Sequence, residues 1–347
     1  MPRSGWVYIN GEPEDQELAL PFEIIDIRRF EAKDFSDLLN AESLAWNEKL
    51  RWDFTASLQI INSCLREKRL SGYALLAESK IRGYCFFFYD GEKGLVGDLF
   101  VDPGLPGLDH ACQLLDHAVE TLLGTPGLRR VEAQLPHYKL EELEAGLHAR
   151  QFQSYLRRFM SLPLDNLPVG KELPASPSNA ADPSLLANLR VMPWEGSFDQ
   201  AAAELLYHTY QGHVDADIND QYASVSGTTR LVENIVHHEG CGEFLPRLSR
   251  LAVHQPTRQL AGILAATCIR PHTAHVPQVA VGVPFQGRGV GSLLMNSAFR
   301  DLAREGFKEV TLTVTDQNLG AVRLYERVGF QTFKTFGAFV YTHEEKY

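Results

Sequence analysis

The sequence has few cysteines and no C-x-x-C pair among them. Its five cysteines lie far apart along the chain, at Cys64, Cys85, Cys112, Cys241 and Cys268. An odd number at such spacings argues against a disulfide framework and shows no zinc-ligand pattern. We therefore expect buried thiols in a reducing compartment, and no metal site.

Long apolar runs and an excess of positive charge are also missing. No stretch approaches the roughly 18 apolar residues of a membrane span, and the N-terminus, M-P-R-S-G-W-V-Y-I-N, lacks the apolar core of a signal peptide. The formal net charge is −11, which argues against a general nucleic-acid-binding protein. We expect a cytoplasmic monomer or homodimer that binds neither membranes nor nucleic acid.

The length and one proline-rich segment indicate two domains. The chain has 347 residues, of which 44% are hydrophobic, so each half can bury a core. Between the halves, prolines at positions 163, 168, 174, 177 and 183 alternate with Ser, Asn and Asp, which is typical of a linker. We predict an N-terminal extension over 1–21, a first domain over 22–164, a linker over 165–186 and a second domain over 187–347.

The most informative stretch is V-A-V-G-V-P-F-Q-G-R-G-V-G, Val279 to Gly291. It begins with a short apolar strand pattern, passes through three glycines and leads into an amphipathic helix. Glycines let the backbone approach a ligand closely, and the free N–H groups at the start of a helix attract anions. The segment therefore predicts a diphosphate site, although a glycine-rich turn without a ligand is the alternative.

Spacing separates the families that use such a loop. A P-loop requires Lys and Ser/Thr after its last glycine, and a Rossmann loop requires G-x-G-x-x-G; neither is present. The remaining pattern, Q/R-x-x-G-x-G/A, is met by Gln286, Gly289 and Gly291. It resembles the pyrophosphate loop of the GNAT acyltransferases, which bind coenzyme A.

The sequence after the loop strengthens the resemblance. A strand pattern at Glu309–Thr315 is followed by Asp316–Phe330, whose Asn318, Tyr325 and Gly329-Phe330 stand where GNAT proteins carry N…Y…GF. The resemblance runs from about Leu260 to the C-terminus. It implies an α/β fold in which a twisted, mostly antiparallel mixed sheet with a splayed central strand pair is flanked by helices.

The first half repeats the same order of elements. Gly107 and Gly287 are 180 positions apart, Gly127 and Gly306 are 179 apart, and Phe152 and Phe330 are 178 apart. Near-constant offsets indicate two copies of one fold. We therefore predict tandem GNAT folds, a layout that also resembles mycothiol-synthase-like proteins.

The first copy lacks the features that the loop chemistry needs. Pro106, without a backbone N–H, stands at the position of Gln286, and the anionic Asp109 stands at that of Gly289. Leu147 replaces Tyr325 and cannot transfer a proton. We predict that the first domain does not bind coenzyme A and that the second domain is catalytic.

The resemblance also assigns roles to individual residues. Acetyl-CoA is the implied cofactor, and its pantetheine arm is expected to bond to the backbone of the motif strand. The implied cofactor-binding residues are Val279, Ala280, Val281, Gln286, Gly287, Arg288, Gly289, Val290, Gly291, Ser292 and Asn318.

Two side chains are candidates for catalysis. Tyr325 matches the family position whose phenol protonates the leaving thiolate; the alternative is a tyrosine that only packs. His275, on the motif strand, is a candidate base because histidine titrates near neutral pH, and the alternative is an ordinary strand histidine. The backbone N–H of Val281 is the implied oxyanion donor.

The acceptor is expected between the first two helices of the second domain. There the segment Gln211–Tyr222 presents Asp215, Asp217 and Tyr222, and carboxylates could hold a cationic amine; a solvated acidic loop is the alternative. We predict an enzyme that transfers an acetyl group to a primary amine, a small molecule rather than a protein. The alternatives are a non-catalytic coenzyme-A-binding scaffold and a protein N-terminal or lysine acetyltransferase.

Overall fold

The computed structural model describes residues 22–105, 108–166 and 182–343. The N-terminal extension, most of the linker, Pro106 and Gly107 lie outside the described residues, so the expectations about them stay predictions. Within the described part, the two halves show the same order of strands and helices.

The first half contains the following elements, in chain order: β1 (Phe22–Asp26), α1 (Ser36–Leu50), α2 (Thr55–Arg66), β2 (Ser71–Ala77), β3 (Lys80–Asp90), β4 (Lys93–Val101), α3 (Asp109–Leu123), β5 (Arg130–Leu135), α4 (Leu140–His148) and β6 (Gln153–Pro163).

The second half repeats this series and adds three short elements, α5, α7 and β8, that the sequence pattern does not predict. In chain order it contains α5 (Pro183–Ala187), β7 (Leu189–Pro193), α6 (Asp199–Thr209), α7 (Val214–Ile218), α8 (Val225–His237), β8 (Glu243–Phe244), β9 (Arg250–His254), β10 (Gln259–Arg270), β11 (Thr273–Val281), α9 (Val290–Arg304), β12 (Glu309–Thr315), α10 (Leu319–Val328) and β13 (Gln331–Thr342).

Strand register reproduces the offsets read from the sequence. The parallel pairing of β4 with β5 begins at Lys93 opposite Arg130, and that of β11 with β12 begins at Thr273 opposite Glu309. These starting residues are 180 and 179 positions apart. The final strands β6 and β13 begin 178 positions apart, at Gln153 and Gln331. The predicted repeat is therefore confirmed: the chain contains two copies of one mixed α/β fold.

The two copies share one continuous sheet because their final strands are exchanged. The strand order is β1-β2-β3-β4-β5-β13-β6-β12-β11-β10-β9-β7, and β8 pairs with β10. The last strand of the second half, β13, lies between β5 and β6 of the first half. In turn β6 pairs antiparallel with β12 of the second half.

The exchange also mixes the hydrophobic cores. Phe339 on β13 is fully buried in the first half's core, beside Leu147 and Phe152. Met160 and Leu162 on β6 are buried in the second half's core, beside α9 and β12. Burying a large apolar side chain stabilises a fold by roughly 1.5–3 kcal/mol, so each half depends on the other for part of its core.

Glycines set the ends of the two helices that follow β11. Gly306, after α9, has φ +89°, and Gly329, after α10, has φ +108°. Residues with side chains rarely adopt these left-handed angles, whereas glycine does so without a steric penalty. At its other end, α10 is capped by Asn318, whose Oδ1 accepts from the N–H of Ala321 at 3.2 Å.

The predicted loss of function in the first copy stays a prediction, and the structure describes two of the side chains on which it rests. Asp109 is exposed at the start of α3, and Leu147 is 1% exposed in the apolar core. A leucine there packs but has no proton to give.

The expectation of buried thiols is correct only for Cys85; Cys64, Cys112, Cys241 and Cys268 are half-buried, and no cysteine is disulfide-bonded. Within the described ranges, no helix is long and apolar enough to cross a membrane.

Candidate active site

A β-bulge in β11 opens the sheet of the second half. Ala265 pairs with Gln278 and Thr267 pairs with His275, so Val276 and Pro277 together stand opposite Ala266. One extra residue on a strand bends it and disrupts the ladder locally. The pairing of β11 with β12 accordingly ends at Val276 opposite Leu312, although both strands continue.

The bulge also changes which side chains face which helices. Before it, Ala274 and Val276 pack in the core beside α9 and α10; after it, Val279 and Val281 pack there instead. Ala280 points to the opposite core, beneath α6 and α8. Between the splayed strands lies a cavity of about 630 Å³.

The glycine loop forms one end of this cavity. Gly287 and Gly289 have φ values of +71° and +90°, and α9 begins directly after Gly289. Gln286 braces the loop, because its Nε2 donates to the carbonyl of Val281 at 3.0 Å. The free N–H groups at the start of α9 and the unpaired edge of β11 therefore border one space, as a diphosphate with a pantetheine arm requires.

Almost all of the predicted cofactor-binding residues line the cavity. They are Val279, Ala280, Val281, Gln286, Gly287, Gly289, Val290, Gly291, Ser292 and Asn318. Arg288 does not line it. Its half-exposed guanidinium points toward Asp182, 3.9 Å from that carboxylate.

Tyr325 lies in the wall of the same cavity and is 7% exposed. Burial raises the pKa of its phenol well above the ordinary value of 10.0, and the nearby Tyr210 and Asp215 raise that pKa further. Removing a proton would place a negative charge in an apolar wall beside a carboxylate. The phenol therefore holds its proton at neutral pH and can act as a donor.

The side of the cavity formed by the segment Gln211–Tyr222 and β11 contains a buried amide and two tyrosines. The rings of Tyr210 and Tyr222 stack with centroids 4.0 Å apart. Tyr222 donates to Oε1 of Gln278 at 3.0 Å, and Nε2 of Gln278 donates to the hydroxyl of Tyr210 at 2.6 Å. Tyr222 is thus in the cavity wall as predicted, but its hydroxyl orients Gln278.

Asp215 also lines the cavity, whereas Asp217 does not. The hydroxyl of Thr315 donates to Oδ1 of Asp215. The same oxygen lies 3.7 Å from Nη1 of Arg157, and the other oxygen, Oδ2, lies 3.6 Å from Nδ1 of His213. The carbonyl of Asp217 instead accepts from the guanidinium of Arg130 in the first half.

His275 lies outside the cavity, which does not fit the predicted role of a base. It precedes the bulge, is 6% exposed and packs edge-on against Trp52 of the first half. Its Nδ1 is 2.9 Å from the hydroxyl of Thr311. Burial lowers the pKa of His275 from 6.5 to about 3, so the imidazole is a poor proton acceptor at neutral pH.

Sequence reasoning missed His213, the histidine that does line the cavity. The N–H of Asp215 donates to its Nδ1 at 3.1 Å, and Nδ2 of Asn318 lies 3.2 Å from its Nε2. A neutral imidazole has only one ring nitrogen with a free lone pair, so it cannot accept both bonds. His213 lies two residues before Asp215 in the segment already marked as the acceptor site, and this proximity was the available signal.

Sequence reasoning also missed Gln134 and Arg157, which reach the cavity from the first half. Arg157 lies on β6, opposite Thr315 of β12. No local motif marks either residue, because their position depends on the strand exchange.

The first half contains a buried polar group of its own. The possible ligand atoms of Glu42, Asp98 and His137 all lie within 4.8 Å of one another. Burial and the neighbouring Asp98 raise the pKa of Glu42 well above its ordinary value, and burial lowers that of His137 to about 4. Asp98 stands 180 positions before Gln278. In the first copy, this polar group therefore occupies the place of the amide–tyrosine network.

Comparison with known proteins relates part of the second half to one protein family. Residues 227–330 match the model of the Acetyltransferase (GNAT) family. The chain is 38% identical over 65 residues to a mycothiol acetyltransferase of Rhodococcus opacus, an alignment covering 19% of this chain and 21% of the relative. It is 38% identical over 56 residues to an N-alpha-acetyltransferase of Arabidopsis thaliana, covering 16% and 30%. The chain thus spans less than a third of each of these relatives.

Solved structures extend the likeness in fold to the whole chain. A GCN5-related N-acetyltransferase from Sphaerobacter thermophilus superposes with a TM-score of 0.63 at 18% identity, covering 93% of this chain and 96% of that one. A tandem GNAT protein from the clavulanic acid biosynthesis pathway superposes with a TM-score of 0.59 at 16% identity, covering 94% and 100%. Residues 227–330 therefore resemble the Acetyltransferase (GNAT) family in sequence, and the whole chain has the fold of a tandem GNAT protein.

Proposed function

We propose that the second half of this protein is an N-acetyltransferase that moves an acetyl group from acetyl-CoA to a primary amine. One observation carries the proposal: the unpaired edge of β11, the glycine loop at the start of α9 and the phenol of Tyr325 border a single cavity. A scaffold has no need of these three features in one place. The first half repeats the splayed strand edge, because the pairing of β4 with β5 ends at Val96 opposite Ala133, but it has Leu147 where the second half has the phenol.

The residues present fit coenzyme A. Gly287 and Gly289 adopt left-handed angles, which keeps side chains away from the diphosphate position, and the N–H groups that begin α9 point at it. Beyond the bulge, the backbone of Val279 and Val281 has no partner on β12. Acetyl-CoA would supply the acetyl group as a reactive thioester.

Three groups of the chain would then stabilise the developing negative charge and transfer protons. The backbone N–H of Val281 would donate to the developing oxyanion. Tyr325 would give its phenolic proton to the leaving group. In the tautomer with its proton on Nδ1, beside Oδ2 of Asp215, His213 would take at Nε2 the proton that the amine loses, because histidine is the side chain most often used as a general base. His213 would then gain one proton for the one that Tyr325 loses, so the number of protons on the protein is unchanged.

Calorimetric titration with acetyl-CoA tests this proposal, using the wild type and Gly289→Asp. We expect one site per chain in the wild type and none in the variant, because a carboxylate at this position crowds and repels the diphosphate.

Gly306→Asp is the matched control. Gly306 lies at the other end of α9 with φ +89°, close to the +90° of Gly289, but outside the cavity. Both variants carry the same backbone strain and the same charge, and only Gly289→Asp should lose binding. Failure of the wild type to bind acetyl-CoA would contradict the proposed function, and two sites per chain would contradict the assignment of the first half.

A further inference from the structure

Arg157 brings a buried positive charge from the first half into the acceptor side of the cavity. Its side chain is 15% exposed. It lies on β6, which reaches the second half only because the final strands are exchanged. The same wall contains the carboxylate of Asp215, so the cavity presents both signs of charge.

The guanidinium of Arg157 is poorly satisfied by the protein. Among the described residues, its buried Nε has no hydrogen-bond partner. Its nearest carboxylate oxygen, Oδ1 of Asp215, is 3.7 Å away and already accepts from Thr315. A charge-assisted hydrogen bond is about 2.7–2.9 Å long, so this ion pair is loose. Leaving charged donors buried and unpaired is costly.

A second unsatisfied donor lines the same cavity. The hydroxyl of Thr209, on α6, is buried without a partner within the described residues. Arg157 and Thr209 come from different halves of the chain. Two orphaned polar groups in the wall of one cavity indicate a ligand that supplies oxygen acceptors.

We infer that the acceptor is a zwitterion, an amine that also carries a carboxylate or phosphate, and that Arg157 binds this anionic group. A guanidinium fork matches both kinds of oxyanion, because two parallel N–H groups can meet two oxygens. Asp215 stands beside it to hold the ammonium before it reacts. This inference rests on the proposed function and names the substrate class of the same site.

Matched pairs of amines test the inference. Turnover with acetyl-CoA is followed as release of the coenzyme A thiol. The carboxylate arm compares the common amino acids other than proline, all of which have a primary amine, with their amides. The phosphate arm compares phosphoethanolamine with ethanolamine and glucosamine 6-phosphate with glucosamine. We expect kcat/KM to favour the acidic member of at least one pair by about 10- to 100-fold, and the arm identifies the anionic group.

Three variants locate the effect. Arg157→Gln should remove the preference for the acidic member, because kcat/KM for that member falls to the value for its neutral partner. Arg157→Lys keeps the charge without the fork, so it should retain part of the preference. Arg158→Gln is the control: Arg158 is the next residue of the same strand, but it pairs with Asp316 and Glu326 and does not line the cavity. Circular dichroism checks that each variant is folded.

Several results would overturn the inference. They are faster turnover of the neutral members by the wild type, an acid preference that survives Arg157→Gln, and acetyl-CoA binding without turnover of any acidic amine. The last result leaves the proposed function standing. If acetyl-CoA does not bind, the proposed function fails first and this inference fails with it.

Discussion

His213 and His275 show how burial separates two histidines of one domain. His275 is enclosed by Trp52 and Thr311, and burial lowers its pKa to about 3. His213 lies in the cavity wall beside Asp215, with its side chain 29% exposed. An imidazole in the wall of a cavity can reach a bound amine, whereas one enclosed in the core cannot.

The same substitution at both histidines tests this assignment. His213→Asn keeps a good N-cap residue before α7 but removes the imidazole, so we expect kcat/KM to fall about 10²- to 10⁴-fold. His275→Asn should leave kcat/KM nearly unchanged and lower the free energy of unfolding by about 1–3 kcal/mol. Steady-state kinetics with the best amine and thermal unfolding supply the two readouts. Equal kinetic losses in both variants would count against His213 as the base.

At the scale of elements, the first half holds the segment around α7 in place. Lys93, whose side chain is 8% exposed, lies between Glu132 at 3.6 Å and Asp220, with which it also pairs. The N–H of Asp220 donates to Glu132 at 3.2 Å, and Arg130 donates to the carbonyl of Asp217. The segment around α7 therefore docks on β4 and β5. In this way the first half positions a segment of the second half that borders the cavity.

Lys93→Met tests the docking. The variant keeps the apolar stem but leaves two carboxylates without their shared cation, which should lower the free energy of unfolding by about 1–3 kcal/mol. We expect the acceptor KM to rise several-fold, because Asp215 and Tyr222 belong to the loosened segment. The dissociation constant of acetyl-CoA, measured by calorimetry, should not change. Weaker acetyl-CoA binding with an unchanged acceptor KM would contradict this role.

At the scale of the whole molecule, the exchanged strands make the two halves one structural unit. The β13 strand pairs with β5 and β6, and β6 pairs with β12. Unfolding either half would therefore unpair strands and expose core side chains of the other. The linker boundary read from the sequence divides the chain but not the sheet.

Calorimetric unfolding of the full chain checks this coupling. We expect a single transition whose calorimetric and van't Hoff enthalpies agree, because neither half keeps its sheet or core alone. Saturating acetyl-CoA should raise the temperature of that one transition. Two resolved transitions, only one of which shifts with acetyl-CoA, would show that the halves unfold independently.

The sequence by itself determined what depends on local order along the chain. Glycine spacing, strand periodicity and the constant offsets between the halves predicted the loop, the repeat and the degenerate first copy. Almost all of the predicted coenzyme A residues line one cavity, because they follow one another on β11, the loop and α9. Tyr325 and Asn318 could be placed for the same reason, since a fixed spacing on a helix fixes the face that each residue occupies.

Only the tertiary structure decided what depends on contacts between distant segments. The bulge at Val276 and Pro277 shifts the alternation of β11 by one residue. Because successive side chains of a strand point to opposite faces of the sheet, a shift of one residue moves the following side chains to the other face. The sequence does not reveal this bulge, so it could not show that His275 faces the core. The strand exchange brought Arg157 and Gln134 into the second half's cavity. Nothing in the local sequence encodes a pairing between strands that are 150 residues apart, because it is settled by the burial of both strands together.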